Sequence, residues 1–129
     1  MHRNDDTRRG SAVMEFALLM ALLLAPLLAG IWDAARMIDM NQVLTRAARE
    51  GAILASRGND PTRTVLSFVA AEGLSTEDLI VSVAVGPEDR ELGREVSVSL
   101  SYNVADGTVY PWGRLIPEGL TAVARAKME

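Results

Sequence analysis

The chain has 129 residues, 49% of them hydrophobic and 23% charged, with a formal net charge of −4 and no cysteine. That length allows one domain, the missing cysteine removes disulfides, thiolate nucleophiles and zinc-thiolate sites, and the negative balance excludes a basic nucleic-acid surface. The single histidine, His2, lies in the N-terminal tail, so a histidine-based catalytic triad or metal site has no material.

The first ten residues carry Arg3, Arg8 and Arg9 against Asp5 and Asp6. An apolar run follows from Ser11 to Trp32, SAVMEFALLMALLLAPLLAGIW, in which Glu15 is the only charge. Roughly 20 apolar residues cross the hydrocarbon of a bilayer, so residues 11–32 are read as a transmembrane helix. Basic residues at its first end favour a cytoplasmic N-terminus, with residues 1–10 as a cytoplasmic leader and 33–129 outside the cytoplasm.

Nothing in the sequence stops this helix at Asp33. Met37, Met40, Leu44, Ala47, Gly51 and Leu54 recur at steps of three and four, while Arg36, Arg46, Arg49, Glu50 and Arg57 mostly fall elsewhere. That is the helical period, and it predicts a water-exposed continuation over 33–57 with one apolar stripe. Pro26 removes one backbone donor inside the span, which membrane helices tolerate. Gly51 is expected to permit close helix packing.

The stretch RGNDP, from Arg57 to Pro61, ends the first helix. Asp60 as an N-cap, Pro61 at the first helical position and Gly73 as a stop bound a second helix over 61–73. Its buried side is expected to consist of Val65, Leu66, Phe68 and Val69. Beyond it the period changes to two, giving strands over 79–85, 96–104 and 120–128. Val96, Val98, Leu100 and Tyr102 alternate with serines, the pattern of an antiparallel sheet with one buried and one wet face. Tyr110 and Trp112, in the loop before the last strand, are expected to pack over the open face. The expected fold is α+β: a long N-terminal helix, a short helix and a small three-stranded antiparallel sheet.

The carboxylates Asp33, Asp39, Glu50, Glu77, Asp78, Glu88 and Asp89 lie beside arginines or at turns and are read as solvated charge. No catalytic residue, metal, cofactor or small-molecule substrate is expected. Glu15 is different, because a carboxylate at the centre of a membrane helix costs about 2.5–3.5 kcal/mol on insertion scales, and less near an end where it reaches water. If the chain is cut after Gly10, Glu15 becomes the fifth residue behind a new α-amino group that is cationic near neutral pH. It then also meets the positive end of the helix dipole. The glutamate of one subunit could then pair with the N-terminal amine of its neighbour and set their axial stagger.

Four motifs occur in order: RRG at Arg8 to Gly10, VMEFALL at Val13 to Leu19, GIWDAAR at Gly30 to Arg36, and AAREGA at Ala47 to Ala52. The first two resemble the processing site of type IV prepilins, and together the four resemble the TadE-like family, minor pseudopilins of the Tad (Flp) pilus assembly system. One departure is proline: many family members have it about six residues after the glutamate, where this chain has Ala21 and carries Pro26 instead. The resemblance implies a pilin-like fold, a cleavage site flanked by Gly10 and Ser11, Glu15 as the fifth-position glutamate, and Phe16 after it as in the family. It also implies a single-pass protein of the bacterial inner membrane that meets a prepilin peptidase, other pseudopilins, the pilus platform and membrane lipid. The competing expectations are an uncleaved single-span protein with an extracytoplasmic partner-binding domain, and a secretory protein cut near Ala29. The second is opposed by the length of the run and by Leu27, three places before that cut, where a small residue is wanted.

Overall fold

A computed structural model describes residues 5–86, 93–104 and 119–128, with side chains from Gly10 onward. The first element, α1, is a helix of 52 residues from Asp5 to Ser56 with Pro26 inside it. At 1.5 Å per residue it is about 78 Å long. It begins before Ser11 because one glycine in a helix costs only about 1 kcal/mol relative to alanine, which does not break it at Gly10. It ends where Gly58 adopts φ 79°. The N–H of Gly58 donates to the carbonyl of Ala55 and that of Asn59 to the carbonyl of Leu54, which satisfies carbonyls the helix end leaves open.

Helix α2 spans Thr62–Ala71. The Asp60 carboxylate accepts a hydrogen bond from the N–H of Thr62 at 3.0 Å, and Pro61 already has helical angles, φ −78° and ψ −16°. The helix therefore starts one residue later than the sequence suggests: Pro61 is the cap residue and Thr62 the first helical one, and Asp60 satisfies the Thr62 N–H from just outside the helix. The helix closes as α1 does: Gly73 has φ 80°, and the N–H of Leu74 donates to the carbonyl of Val69.

Three strands follow, β1 (Leu79–Val85), β2 (Glu95–Asn103) and β3 (Gly119–Lys127), in the order β1-β2-β3 with both pairings antiparallel. This is the α+β arrangement expected from the sequence. The core face of the sheet holds Val96, Val98, Leu100 and Tyr102 of β2, all buried, opposite Ala126, Ala124, Ala122 and Leu120 of β3. The serines between them lie on the other face, as their alternation requires.

The second half of α1 lies along this face. Met40, Leu44, Ala47, Ala48, Ala52 and Ala55 are buried with Val65 and Val69 of α2 in one core cluster. The stripe read from the sequence is therefore covered by the chain's own sheet and α2 from Met40 to Gly51, with Met37 and Leu54 at its ends half-buried. Leu66 and Phe68 pack against the cluster without being fully buried. Small residues on α1 allow close approach: a Cβ added to Gly51 would lie 2.8 Å from Cγ2 of Val65 and 3.4 Å from Cγ1 of Val98. Val98 is thus level with Gly51, whereas Tyr102, Asn103 and Val104 line a cavity with Arg36 and Met40. β2 consequently runs back along α1 towards its N-terminal half, and β1 and β3 run the opposite way.

Thermal unfolding of the full chain in detergent checks this packing. Leu100→Ala, at a site with no exposure, is expected to cost about 2–5 kcal/mol, and Gly51→Val about 1–3 kcal/mol by overpacking the contact with Val65. Unchanged midpoints for both would contradict the core described. The hydrogen bond from the Thr62 backbone holds the Asp60 carboxyl below its ordinary pKa. Its stabilising contribution is therefore complete above the unfolded carboxylate range and lost as pH falls through the lowered value. Asp60→Ala should lower the midpoint at neutral pH and show a shallower acid decline than the parent chain, read from midpoints across an acid titration.

Candidate processing and assembly site

The first half of α1 is bare. Val13, Met14, Phe16, Leu18, Leu22, Leu23, Leu28, Ile31 and Trp32 are each more than half exposed. Among the described residues, this is the one helix long and apolar enough to cross a membrane, and none of its most apolar stretch is buried by the chain. A soluble helix with such a surface would be strongly unfavourable in water at roughly 25 cal/mol per Å² of apolar area. A lipid surround removes that penalty.

Gly10, Ser11, Glu15 and Phe16 all sit on this exposed segment. Ser11 and Glu15 are four residues apart and so share one helix face. The residues three and four away from Glu15 are Ser11, Ala12, Leu18 and Leu19, so its own helix turn supplies no cation. Gly10 has no reason within the fold to be glycine: a Cβ there would meet nothing within 4 Å, and its φ is not positive. The contrast with Gly51, where a Cβ would collide, separates a glycine needed for packing from one that packing does not use.

Sequence reasoning misjudged Asp33. Read as a solvated carboxylate, it is only 4% exposed. The signal was present in the spacing, since Asp33 precedes Met40 by seven residues and Leu44 by eleven and so falls on the buried stripe. Asp39, Glu50 and Glu77 are exposed and Asp78 is half-buried, while Glu88, Asp89, Tyr110 and Trp112 lie outside the described residues. Among the described residues no group of three or more histidine, cysteine or acidic side chains is placed to hold a metal ion.

The family model described as TadE-like protein matches residues 10–52. The match runs from Gly10 through the exposed apolar half of α1 and into the buried stripe, over three of the four motifs that carry the resemblance and the glycine that ends the first. No curated protein and no solved structure matches the chain. The TadE-like segment and the long apolar N-terminal helix together fit a membrane protein associated with the Tad pilus.

Proposed function

We propose that the chain is a minor pseudopilin of the Tad (Flp) system, cut by a prepilin peptidase between Gly10 and Ser11 and retained in the inner membrane by residues 11–32. Its leader is cytoplasmic, its folded part is extracytoplasmic, and it acts in pilus assembly through contacts with other pseudopilins and the platform rather than by catalysing a reaction. The observation that carries this reading is Gly10, a helical glycine with open space around it, five residues before a carboxylate on an otherwise apolar surface. Such a glycine weakens the helix by about 1 kcal/mol relative to alanine. It also lets another backbone approach without a Cβ in the way. Both properties suit a bond that a peptidase must unwind and grip, and neither serves the packing of this chain.

Glu15 supports the reading from the assembly side. Once the leader is removed, the carboxylate lies one turn from a cationic terminus, and a neighbouring subunit can supply that cation at a different axial height. Cost then becomes contact energy, because a pair replaces an unpartnered charge in a medium of low dielectric.

Processing and assembly are separable experimentally. Gly10→Leu is expected to leave the folded domain intact, with an unchanged thermal midpoint, while mature protein falls at least tenfold, read by the N-terminal masses of protein isolated from membranes. Glu15→Ala is expected to be cut normally yet to reduce surface pili by a similar factor, counted by microscopy. A Gly10→Leu chain processed like the parent, or a parent chain with an intact N-terminus, favours an uncleaved single-span protein instead.

A further inference from the structure

We propose that the outer edge of β1 pairs, in parallel, with β3 of a second copy of this chain anchored in the same membrane. The proposal rests on reading the first half of α1 as a membrane anchor. Two observations carry it. The first is the edge itself: β1 reads LIVSVAV, seven residues without a charge or a proline, and among the described residues no strand pairs with its free side. Such an edge presents a row of unpaired backbone donors and acceptors, and it lacks the charged side chains that ordinarily block a second chain.

The second observation is a gap in the core. Val83 and Val85 lie opposite Val98 and Val96, so they share the face that α1 covers elsewhere. Yet they are 43% and 56% exposed, while their β2 partners are at 0% and 1%. Among the described residues, α1 packs across β3 and β2 and neither helix packs as extensively on β1. Val83 and Val85 instead line an open groove of about 390 Å³ with Ala55, Pro61, Val96 and Met128. On the same face of β1, Leu79 is buried and Val81 packs against the core, so the layer over the sheet is missing only at the Val83–Val85 end of the strand.

The anchor decides which strand fits. Antiparallel pairing of β1 with another β1 needs a two-fold axis normal to the sheet. Because the strands run along α1, that axis would send the two apolar half-helices in opposite directions, which one membrane forbids. β1 and β3 are each antiparallel to β2 and so run the same way. A copy turned about the membrane normal can therefore set its β3 beside β1 with both anchors aligned. It brings its core face to the same side, together with the α1 that lies on β3, and this covers the exposed valines. Charge agrees, since β3 carries Arg125 and Lys127, which oppose like charges in a β3 to β3 pair and meet none on β1. Such a head-to-tail contact uses two different patches and so propagates beyond a dimer.

The absence of cysteine makes single-cysteine variants clean reporters. Ser82 is level with Ser99, and Ser99 with Val123, all on the outer face. Full-length chains carrying Ser82→Cys are co-expressed with chains carrying Thr121→Cys, Val123→Cys or Arg125→Cys, and membranes are treated with a short bis-maleimide. The expected result is a mixed dimer with at least one of the three, a ladder beyond dimers when both cysteines are in one chain, and at least a tenfold loss of product when Val83→Lys is added at an unchanged thermal midpoint. Product from Ser82→Cys copies alone, or no mixed product from chains that resist alkaline extraction, overturns the pairing. Chains released by alkaline carbonate would instead sink the anchor reading on which it rests.

Discussion

The structure depends on one constraint: a continuous helix too long for its chain to cover. α1 is about 78 Å long at 1.5 Å per residue, and its apolar surface changes character along the way. From Met40 to Ala55 the stripe spans about 24 Å by the same rise, and strands of nine residues, at about 3.4 Å each, reach about 30 Å and cover it. From Ser11 to Trp32 the helix is apolar on all sides and extends about 33 Å, close to the hydrocarbon thickness of a bilayer. The sheet covers one length and lipid suits the other. The small residues of the second half follow from the first demand, since Ala47, Ala48, Gly51, Ala52 and Ala55 let a thin sheet approach a helix that is itself narrow. The leucines of the first half follow from the second.

This division explains why the candidate site looks the way it does. A residue on the bare half does not owe its identity to the packing of the described residues, which bury none of its most apolar stretch. Gly10 and Glu15 are therefore informative in a way that Gly51 and Val98 are not. The TadE-like match begins at Gly10 and ends at Ala52, so it covers the bare helix and the stripe, and it stops before α2 and the sheet. The matched region thus joins the apolar surface that could cross a membrane to the stripe that the folded part buries. Beyond it, described residues of α2 and the sheet bury the stripe.

Much of the fold was legible in the sequence because its periods are unmixed. The step of three and four from Met37 to Leu54 gave the stripe, and the alternation from Val96 to Tyr102 gave the buried face of β2. Gly58 and Gly73 end their helices in the left-handed conformation that only glycine enters cheaply. What escaped is tertiary. Exposure of Val83 and Val85 depends on where α1 lies across the sheet, and no local pattern reports that. Asp33 escaped for a different reason: charge outweighed position in the reading, although the helical period placed it on the stripe. Of the candidate site, the positions of Ser11, Glu15 and Phe16 on one exposed helix were legible, whereas the place of Gly10 inside that helix and the open space around it required coordinates.

The division of α1 between lipid and sheet is the central claim, and cysteine accessibility tests it most directly. In intact cells with a permeable outer layer, Leu22→Cys, Leu44→Cys and Ser101→Cys chains are treated with a membrane-impermeant maleimide. Rapid labelling is expected at Ser101→Cys only, labelling at Leu44→Cys after the domain is unfolded, and labelling at Leu22→Cys only once detergent has removed the bilayer. Labelling of Leu22→Cys in intact membranes as fast as Ser101→Cys would contradict that division.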